Sequence, residues 1–351
     1  MRFRTVLLQS ASAAAAAAAG VNGVHAQSTD PALQGYTVSV QGGALFSNGM
    51  MVDKCGSSGC FLPPPFSSGY PGVINFDHDL GFNAAISLRK QIDNYWDFGV
   101  GASVNHLMDN TASTSYSSTF YESYPTFGSL PGDYQSGSGT VYGTFTQKFG
   151  FQSLDAEVGY VPHLTNDFQL RFSGGLRALH YTNAQDKTGG LDKYGSQVSG
   201  GVSGSGYANV GFDVTGTYEF LGLGPRVGIG MQKRFEGSQF GISGMLAGAA
   251  IFGVERFHAS GSSSFYVSGS SGASSYSSSY SGPVYSSGGS SGKTVLDIEA
   301  AAGVDYYLDD QSKLTVGYRA EQLTNVGGMG SSGGSGNKLV HGPFLKFEAH
   351  F

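Results

Sequence analysis

The segment that decides the fold is LGFNAAISLR, residues 80–89. Its even positions are all apolar, whereas its odd positions are small or polar. Successive side chains of an extended strand point to opposite faces. The pattern therefore predicts a β-strand with one apolar face and one polar face.

The same alternation recurs nine more times along the chain. Clear copies cover 96–105 and 168–177, and the last copy runs from Leu345 to the terminal Phe351. The other strands begin near Tyr36, Leu154, Leu221, Phe240, Leu296 and Leu314. We therefore predict about ten strands, within a range of about eight to twelve. The range is open because 139–149 and 207–218 alternate weakly and could be loop hairpins or strand extensions.

Short and long connections alternate between these strands. The short connections are 91–94, 162–167, 235–237 and 308–312, and the long ones are about 47–77, 108–150, 182–217, 255–293 and 324–338. An outer-membrane barrel has short periplasmic turns and long extracellular loops, whereas a soluble sandwich has no reason to collect its long loops at one end. The chain is therefore predicted to be all-β, a transmembrane antiparallel up-and-down β-barrel with both termini on the periplasmic side.

The composition also argues against a soluble protein. Only 13% of the residues are charged, about half the usual share, which excludes an ordinary soluble enzyme as the default. The net charge of −6 argues against nucleic acid as a partner. After residue 26 no run of 18 apolar residues could form a spanning helix. Since lipid offers no hydrogen-bond partners, an exported chain of this kind can cross only as a closed barrel.

The amino terminus predicts export. Two arginines within the first four residues precede an apolar stretch with the alanine run 13–19, and Val24-His25-Ala26 resembles a small-residue cleavage site. This order is typical of a secretory signal peptide over residues 1–26, which leaves 27–351 as the mature barrel. The alternative is an alanine-rich helix of the mature fold. A cleaved signal peptide together with a barrel predicts localisation in the bacterial outer membrane.

The two cysteines, Cys55 and Cys60, lie in a segment rich in Gly, Ser and Pro. Because export permits disulfide formation, they are candidates for a small loop disulfide. Metal binding is the rival interpretation, but two thiols without a nearby pair of histidines supply at most half of a tetrahedral site. We assign no metal ligands and no cofactor.

The final strand carries the most specific motif of the chain. Counting back from Phe351, every second residue is apolar as far as Leu345, and the residues between are His350, Glu348 and Lys346. A chain that ends on an aromatic residue with this alternation resembles the signal by which bacterial outer-membrane barrels engage their assembly machinery. The predicted partners are this machinery, outer-membrane lipids and lipopolysaccharide. Homo-oligomerisation and a host or surface ligand are left open.

Aromatic residues are expected to form two belts at the membrane interfaces. The periplasmic belt would contain Tyr95, Trp96, Tyr160, Phe168, Phe235, Tyr306 and Tyr307. The outer belt would contain Phe46, Tyr181, Phe220 and Phe252. For each aromatic residue alone, ordinary strand propensity is a sufficient explanation, so only the two-belt arrangement supports a membrane location.

Strand parity assigns fourteen charged residues to the lumen. They are Arg89, Asp97, Asp155, Glu157, Arg171, Arg177, Arg226, Asp297, Glu299, Asp305, Arg319, Glu321, Lys346 and Glu348. A charge on the lipid face would cost roughly 2 to 4 kcal/mol for Arg or Lys near the midplane, so confinement to one parity is expected of a membrane barrel. The charges could line a water-filled path, or they could pair with one another in a closed interior. A barrel of about ten strands has only a narrow lumen. Many inward positions are Gly or Ala, however, which leaves some room inside. A small pore is therefore our first prediction.

The segment 255–293 is expected to be a low-complexity extracellular loop. Residues 260–292 contain 17 Ser and 7 Gly in 33 positions, interspersed with aromatic residues. Such a run buries too little apolar area to offset the entropy lost on ordering. Surface display of Tyr, Ser and Gly is also a composition that supports adaptable recognition.

Two Gly-Pro steps carry a family resemblance. The segment Phe220-Leu-Gly-Leu-Gly-Pro-Arg-Val-Gly228 with the strand that follows it, and Gly342-Pro343-Phe344 before the last strand, resemble the Legionella-type major outer membrane protein family of pore-forming barrels. The resemblance covers residues 36–351 and implies a surface-exposed, porin-like protein that passes ions or small solutes. The Ser/Gly-rich loops depart from the family pattern.

Two other function classes compete with the pore. Outer-membrane barrels can be hydrolases, but the Gly-x-Ser-x-Gly matches at 288–292 and 330–334 lie in low-complexity segments rather than at a strand-to-helix elbow. Loop-borne acid and base pairs, near His106 and His258, remain open. The third class is a closed barrel that acts as a surface adhesion, interaction or structural protein. We predict no catalytic residues, and a pore is preferred to both rivals.

Overall fold

The fold was derived from a computed structural model, which describes residues 35–47, 79–108, 110–122, 134–165, 168–199, 202–271, 274–327 and 335–351. The signal-peptide segment 1–26 lies outside the described residues, as do Cys55 and Cys60. Cleavage of that segment and a disulfide between these cysteines stay predictions. Among the residues that the structure describes, no helix is long and apolar enough to cross a membrane.

Ten antiparallel strands close into a ring, as the alternation predicted. The strands are β1 (Tyr36–Ser47), β2 (Asp79–Gln91), β3 (Trp96–Leu107), β4 (Asn110–Glu122), β5 (Tyr134–Tyr160), β6 (His163–Thr165), β7 (Phe168–Ser199), β8 (Val202–Arg234), β9 (Phe240–Ser271), β10 (Ser274–Tyr307), β11 (Ser312–Gly327) and β12 (Ser335–His350). The ring runs β1-β2-β3-β5-β7-β8-β9-β10-β11-β12, and β12 pairs with β1 from Thr37↔His350 to Ser47↔Val340. Closure leaves no unpaired sheet edge in the bilayer, so the backbone needs no hydrogen bonds from lipid.

Two strands lie outside the ring. β4 follows the end of β3 and pairs with the upper part of β5, from Asn110↔Gln147 to Glu122↔Gln135, while β3 pairs with the lower part of β5. β4 therefore occupies the place beside the extracellular part of β5 that β3 occupies beside its membrane-spanning part. β6 is a three-residue strand beside the start of β7 in a short connection. The prediction of a barrel with about ten strands is confirmed.

Five strands are much longer than the bilayer requires. β5 contains 27 residues, and β7, β8, β9 and β10 contain 32, 33, 32 and 34, whereas a tilted strand crosses with about 9 to 11. The expectation that 182–217 and 255–293 are loops is therefore wrong, and within 108–150 the described residues from Asn110 onward are strand as well. Residues 139–149 and 207–218, which the alternation left open, are strand extensions of β5 and β8.

Backbone pairing explains why the Ser/Gly-rich extensions are ordered. The β9–β10 ladder continues to Ser274↔Ser271, and the β8–β9 ladder continues to Gly204↔Ser271. The barrel below holds the strands in register, so each further pair adds ladder hydrogen bonds without closing a new loop. The apolar area of a segment does not include these hydrogen bonds. It also does not include cross-strand side-chain pairs, and each such pair contributes roughly 0.2 to 1 kcal/mol. One such contact is the Tyr194–Tyr207 pair, whose ring centroids are 4.7 Å apart.

The two faces of the ring follow the predicted parity. Large apolar side chains of the even positions in 80–88 are exposed on the outside, as are Leu221 and Val227, which are about two-thirds exposed. The odd positions of β2 point inward, where Asn83 is 3% exposed. An apolar exterior and a polar interior are the reverse of a soluble protein and suit a lipid environment.

Both Gly-Pro steps lie where the ladder of backbone hydrogen bonds between two strands is interrupted. Pro225 and Pro343 lack an N–H to donate to the ladder, and the β8–β9 and β1–β12 ladders each skip two residue pairs at these steps. The preceding residues, Gly224 and Gly342, lie so close to a carbonyl oxygen of the neighbouring strand that a Cβ would clash with it. Only glycine permits this close approach, so Gly-Pro keeps the strand in the ring where pairing is interrupted.

Candidate functional site in the barrel interior

The interior of the barrel holds the densest cluster of charges in the described structure. All fourteen charged residues assigned to the lumen by parity take part in ion pairs with one another or with Lys313. Eleven of them form one connected group, from Arg89 on β2 to Arg319 on β11. The parity of the strands thus brings together residues that are far apart in the sequence.

Arg177 is the centre of the charged group. Its guanidinium binds Asp155 through two hydrogen bonds of 2.7 Å and donates to Asp297 at 2.5 Å and to Glu299 at 3.2 Å. Glu321 lies 3.5 Å away. The Arg177 side chain is only 5% exposed. The guanidinium group of arginine is planar and carries five N–H donors, so one buried arginine can bind several carboxylates at once.

Two further arginines connect the strands below this centre. Arg171 binds Asp97 through two hydrogen bonds of 2.9 and 2.6 Å and donates to Glu157 at 2.7 Å. Arg226 donates to the second oxygen of Glu157 at 2.7 Å and lies 3.4 Å from Glu299. Bridged carboxylates of this kind lock neighbouring strands together from the inside. Arg226, which follows the first Gly-Pro step, is therefore part of the charged group.

A smaller charged group lies at the short-turn end and contains a residue that the sequence argument missed. The Lys313 amine lies 3.1 Å from Glu348 and 4.0 Å from Asp305, and it donates to Gln232 at 2.5 Å. Lys346 contacts the same glutamate at 3.2 Å. Lys313 shares the odd parity of Arg319, so the parity rule could have found it. It was not assigned to the lumen because it lies directly after the predicted turn 308–312.

Neutral polar side chains line the inner face of β1, β2, β3 and β5, beside the charges and above them. Asn83 is central: it accepts a hydrogen bond from Gln41 at 3.0 Å and donates to Asn105 at 2.8 Å. Hydroxyl pairs join the same strands, Ser39 with Ser87 at 2.7 Å and Ser103 with Ser153 at 2.8 Å. Neutral hydrogen bonds thus hold together the part of the ring that has few charges.

An apolar layer crosses the lumen above these polar side chains, and the sequence argument missed it. Its side chains come from nine of the ten ring strands, and most are at most 3% exposed. The members are Leu45, Leu107, Phe149, Phe151, Leu179, Tyr181, Phe220, Ala249, Ile251, Val295, Leu323, Val326 and Val340. We call this set the apolar layer. It packs side chains from the whole circumference against one another in the centre of the barrel.

Three aromatic residues assigned to the interfacial belts lie inside the barrel. Tyr181 and Phe220 stack with ring centroids 5.1 Å apart and are fully buried in the apolar layer. Tyr307 is 9% exposed and accepts a hydrogen bond from Gln232. Each shares the parity of inward charges on its own strand, such as Arg177 for Tyr181, so the belt assignment of these three was wrong. Trp96 and Phe252 are exposed as expected.

A β-bulge completes the apolar layer on β11. Asn325 has a φ of +62°, and the β11–β12 register shifts between Leu323 and Val326. The shift allows Leu323 and Val326, which would otherwise face opposite sides, both to point inward. The Asn325 amide donates to the Thr294 carbonyl at 2.6 Å, which holds the left-handed conformation that asparagine tolerates.

A buried ion pair lies directly above the apolar layer. The Lys293 amine contacts both carboxylate oxygens of Glu255 at 2.9 Å, and the Tyr181 hydroxyl donates to one of them at 2.5 Å. The sequence argument placed Glu255 and Lys293 in a loop. Their inward parity on β9 and β10 appears only when the strands are extended to their observed lengths.

A match to a protein-family model identifies the family of this chain. A family model described as the Legionella pneumophila major outer membrane protein precursor matches residues 72–350. The chain belongs to this family. The match spans β2 to β12, which confirms the resemblance based on the Gly-Pro steps. Family membership and the closed ring of membrane-length strands place the protein in the bacterial outer membrane.

Solved structures with a likeness to this family member have low sequence identity to it. The outer membrane protease OmpT from Escherichia coli has a TM-score of 0.37 and 9% identity, over 90% of this chain and 96% of that chain. The Pseudomonas putida toluene transporter TodX has a TM-score of 0.29 and 8% identity, over 90% of each chain. The transport unit of the autotransporter AIDA-I from Escherichia coli has a TM-score of 0.28 and 9% identity, over 94% and 95%. No curated protein matches this chain.

Glu255 and His258, which were considered as a loop-borne acid and base, do not come together in this family member, and Asp109, the acid beside His106, lies outside the described residues. Glu255 points inward and binds Lys293, whereas the neighbouring His258 is exposed on the other face of β9. His106 packs against Phe82 on the outer face, with the two ring centroids 5.5 Å apart. In the described part of the chain, no three His, Cys, Asp or Glu residues are placed to hold a metal ion.

A polar and aromatic cluster lies on the outer face of the extracellular strand extensions. The Tyr207 hydroxyl and the Asn209 amide both donate to the same oxygen of Asp192, at 2.8 and 2.6 Å. Tyr207 also contacts the rings of Tyr194 and Tyr266. The hydrogen bond to Asp192 raises the pKa of Tyr207 to about 12, since ionising the phenol would remove that bond and bring two negative charges together.

Replacing Asp192 by asparagine is expected to lower the pKa of Tyr207 from about 12 toward the ordinary value of about 10. The amide accepts a weaker hydrogen bond and carries no negative charge. Nuclear magnetic resonance of the Cζ carbon of labelled tyrosine in detergent would follow the titration. Asp213→Asn on the same strand extension is the matched control and should leave the pKa of Tyr207 unchanged. A Tyr207 pKa that stays near 12 in Asp192→Asn would contradict this assignment.

Proposed function

We propose that this protein is a closed outer-membrane barrel that presents an extended β-sheet wall at the cell surface and acts as a surface-interaction or structural protein. The observation that carries the proposal is the apolar layer. The proposal assigns no catalytic residue. It reverses the order of preference that the sequence suggested, in which a small pore came first.

The apolar layer argues against a continuous water path. A path for water or ions would leave part of every inward side chain accessible at each level of the barrel. Leu179, Phe220, Ile251 and Val295 are 0% exposed. The tight packing of such side chains excludes water, and an ion crossing the layer would lose its hydration without a polar replacement.

The charged group below the apolar layer supports the same interpretation. Its carboxylates and cations are engaged with one another, with many contacts between 2.5 and 3.2 Å. A lumen that conducts ions keeps its charges hydrated and available, whereas most of these side chains bind one another across the barrel, with Arg177 at the centre. Of the two arrangements considered for the lumen charges, mutual pairing in a narrow interior is therefore favoured.

The length of the extracellular wall supports a role at the cell surface. Four adjacent strands extend well beyond the membrane and display Tyr and Ser on an ordered sheet rather than on loose loops. Tyr194, Phe265, Tyr266 and Tyr280 are each at least 41% exposed. Exposed tyrosine among small polar residues is a composition that binding surfaces use for adaptable contacts.

Porin-like diffusion of ions or small solutes is the second candidate. It is favoured by the family resemblance and by an open cavity at the short-turn end, where the inward wall contains Gly228 and Gly230. Passage would require the apolar layer to move aside, because its side chains are packed across the lumen above this cavity.

Recording from planar lipid bilayers separates the two candidates. We expect the refolded full-length protein to give no discrete conductance steps, because the apolar layer stays packed. Folding would be verified in the same preparation by the change in gel mobility on boiling. Reproducible ohmic steps from folded protein would overturn the closed-barrel proposal and support diffusion.

A further inference from the structure

The short-turn end of the interior contains a cavity of about 220 Å³ that is open on one side. It lies at the lower edge of the charged group, between the lower parts of β2, β5, β7, β8, β9, β11 and β12. The charged side chains in its wall are Arg89, Arg171, Arg226, Lys313, Lys346, Glu157 and Glu348. Because the interior above is filled, the opening faces the periplasm under the short-turn rule.

We propose that this cavity is a binding site for a small oxyanion, such as phosphate or a carboxylate group, that enters from the periplasm. Five cationic side chains and two carboxylates line it. The other carboxylates that pair with these cations are not part of the wall; they are Asp97, Asp155, Glu299 and Asp305. The wall therefore presents more donors than acceptors to anything inside it.

Several of these donors are not fully used. The closest carboxylate oxygen to Arg89 is 3.9 Å away, on Asp97, and the Arg89 side chain is 39% exposed. Lys346 is bonded to one oxygen of Glu348 and can donate three hydrogen bonds. Unused donors of charged groups in a partly enclosed space favour an anionic ligand over water.

Arg226 supplies an independent observation. Its side chain is more than nine-tenths buried, yet within the described residues its Nε has no hydrogen-bond partner. Buried donors of charged groups are almost always satisfied, and one left unpaired costs free energy. An Asp155 oxygen lies 3.9 Å from this Nε, so the carboxylate partners do not saturate Arg226, and the same residue lines the cavity.

The remaining wall residues set the size of the ligand. Ser173, Gly228 and Gly230 line one side and leave open space where larger side chains would fill the lumen. The cavity accommodates phosphate with some of its water, or the end of a short peptide with a free carboxylate, but no polymer. Two sources share this chemistry: free phosphate and the carboxylate ends of cell-wall peptides.

The test is a titration of the refolded full-length protein in detergent, in a buffer with little chloride, followed by isothermal calorimetry. Inorganic phosphate and a short peptide with free carboxylates are the two probes. We expect saturable one-site binding of at least one probe, and the tighter probe identifies the source. Absence of saturable binding by both probes would overturn the proposal.

A pair of variants connects the binding to this cavity. Arg89→Gln with Lys346→Gln is expected to weaken binding about tenfold or more, because two charge-assisted donors are lost. Both side chains are partly exposed, so the fold should persist, which the gel shift on boiling would verify. The matched control is Lys90→Gln with Arg234→Gln, two cations of the same end that do not line the cavity. An equal loss of affinity in both pairs would show nonspecific attraction and contradict the site.

Discussion

Replacing Arg177 by methionine is expected to lower the free energy of unfolding by about 3–5 kcal/mol, the usual cost of removing one partner from a buried ionic group. The variant leaves Asp155 and Asp297 buried without their short contacts to a guanidinium. Glu299 and Glu321 keep Arg319 as a partner. Urea titration of the folded protein in detergent, followed by tryptophan fluorescence of Trp96, would measure the change.

Arg234→Met is the matched control for this experiment. Arg234 is an inward-facing arginine at the end of β8, but its carboxylate partner, Asp310, is 93% exposed. Exposed pairs contribute about 0–1 kcal/mol, so the control should change stability little. A loss of less than about 1 kcal/mol in Arg177→Met would mean that the charged group does not stabilise the barrel as the structure suggests.

Thinning the apolar layer is expected to produce the largest functional change. Leu179→Ser, Phe220→Ser, Ile251→Ser and Leu323→Ser together replace four fully buried apolar side chains by small polar ones. Water can then occupy the layer, because a hydrophobic constriction conducts once it is wide and polar enough to stay wet. We expect a bilayer that is silent with the wild-type protein to show steady conductance with the variant.

The control for this variant changes the same number of large side chains outside the lumen. Tyr194→Ser, Phe265→Ser, Tyr266→Ser and Tyr280→Ser alter exposed residues of the extracellular wall and should leave the bilayer silent. The pair Phe220→Ala and Ile251→Ala is a milder thinning that is available if the four serine changes prevent folding. Folded variants that remain silent after both treatments would contradict the view that the apolar layer is the seal.

Most of the transmembrane fold could be predicted from the sequence, because alternation in an extended chain is a local property. The segment 80–89 shows it in ten residues, and the parity rule assigned Arg177, Asp297 and Glu299 to one interior although they lie on distant strands. The same rule would have found Lys313, had it been applied up to the turns. A lipid exterior permits only one face of each strand to carry charge, so parity and side agree closely.

The structure differs most from the sequence-based prediction in the extracellular strands and in the upper lumen. Composition predicted that 255–293 would be a loop, because it measures the apolar area a segment can bury and ignores the hydrogen bonds offered by neighbouring strands. The aromatic character of Tyr181 and Phe220 suggested the interface, but the same parity rule places them inside. The sequence of a single strand does not indicate how its inward residues pack against those on the opposite side of the barrel.

The sequence by itself determined that this chain is an antiparallel barrel with an apolar outside and a charged inside. The tertiary structure alone decided that the charges pair with one another, that an apolar layer fills the lumen and that five strands rise above the membrane. The physical reason is that periodicity is set by neighbours along the chain, whereas closure of the interior depends on contacts such as Arg177 with Asp297, 120 residues apart. Such contacts exist only after the ring has closed.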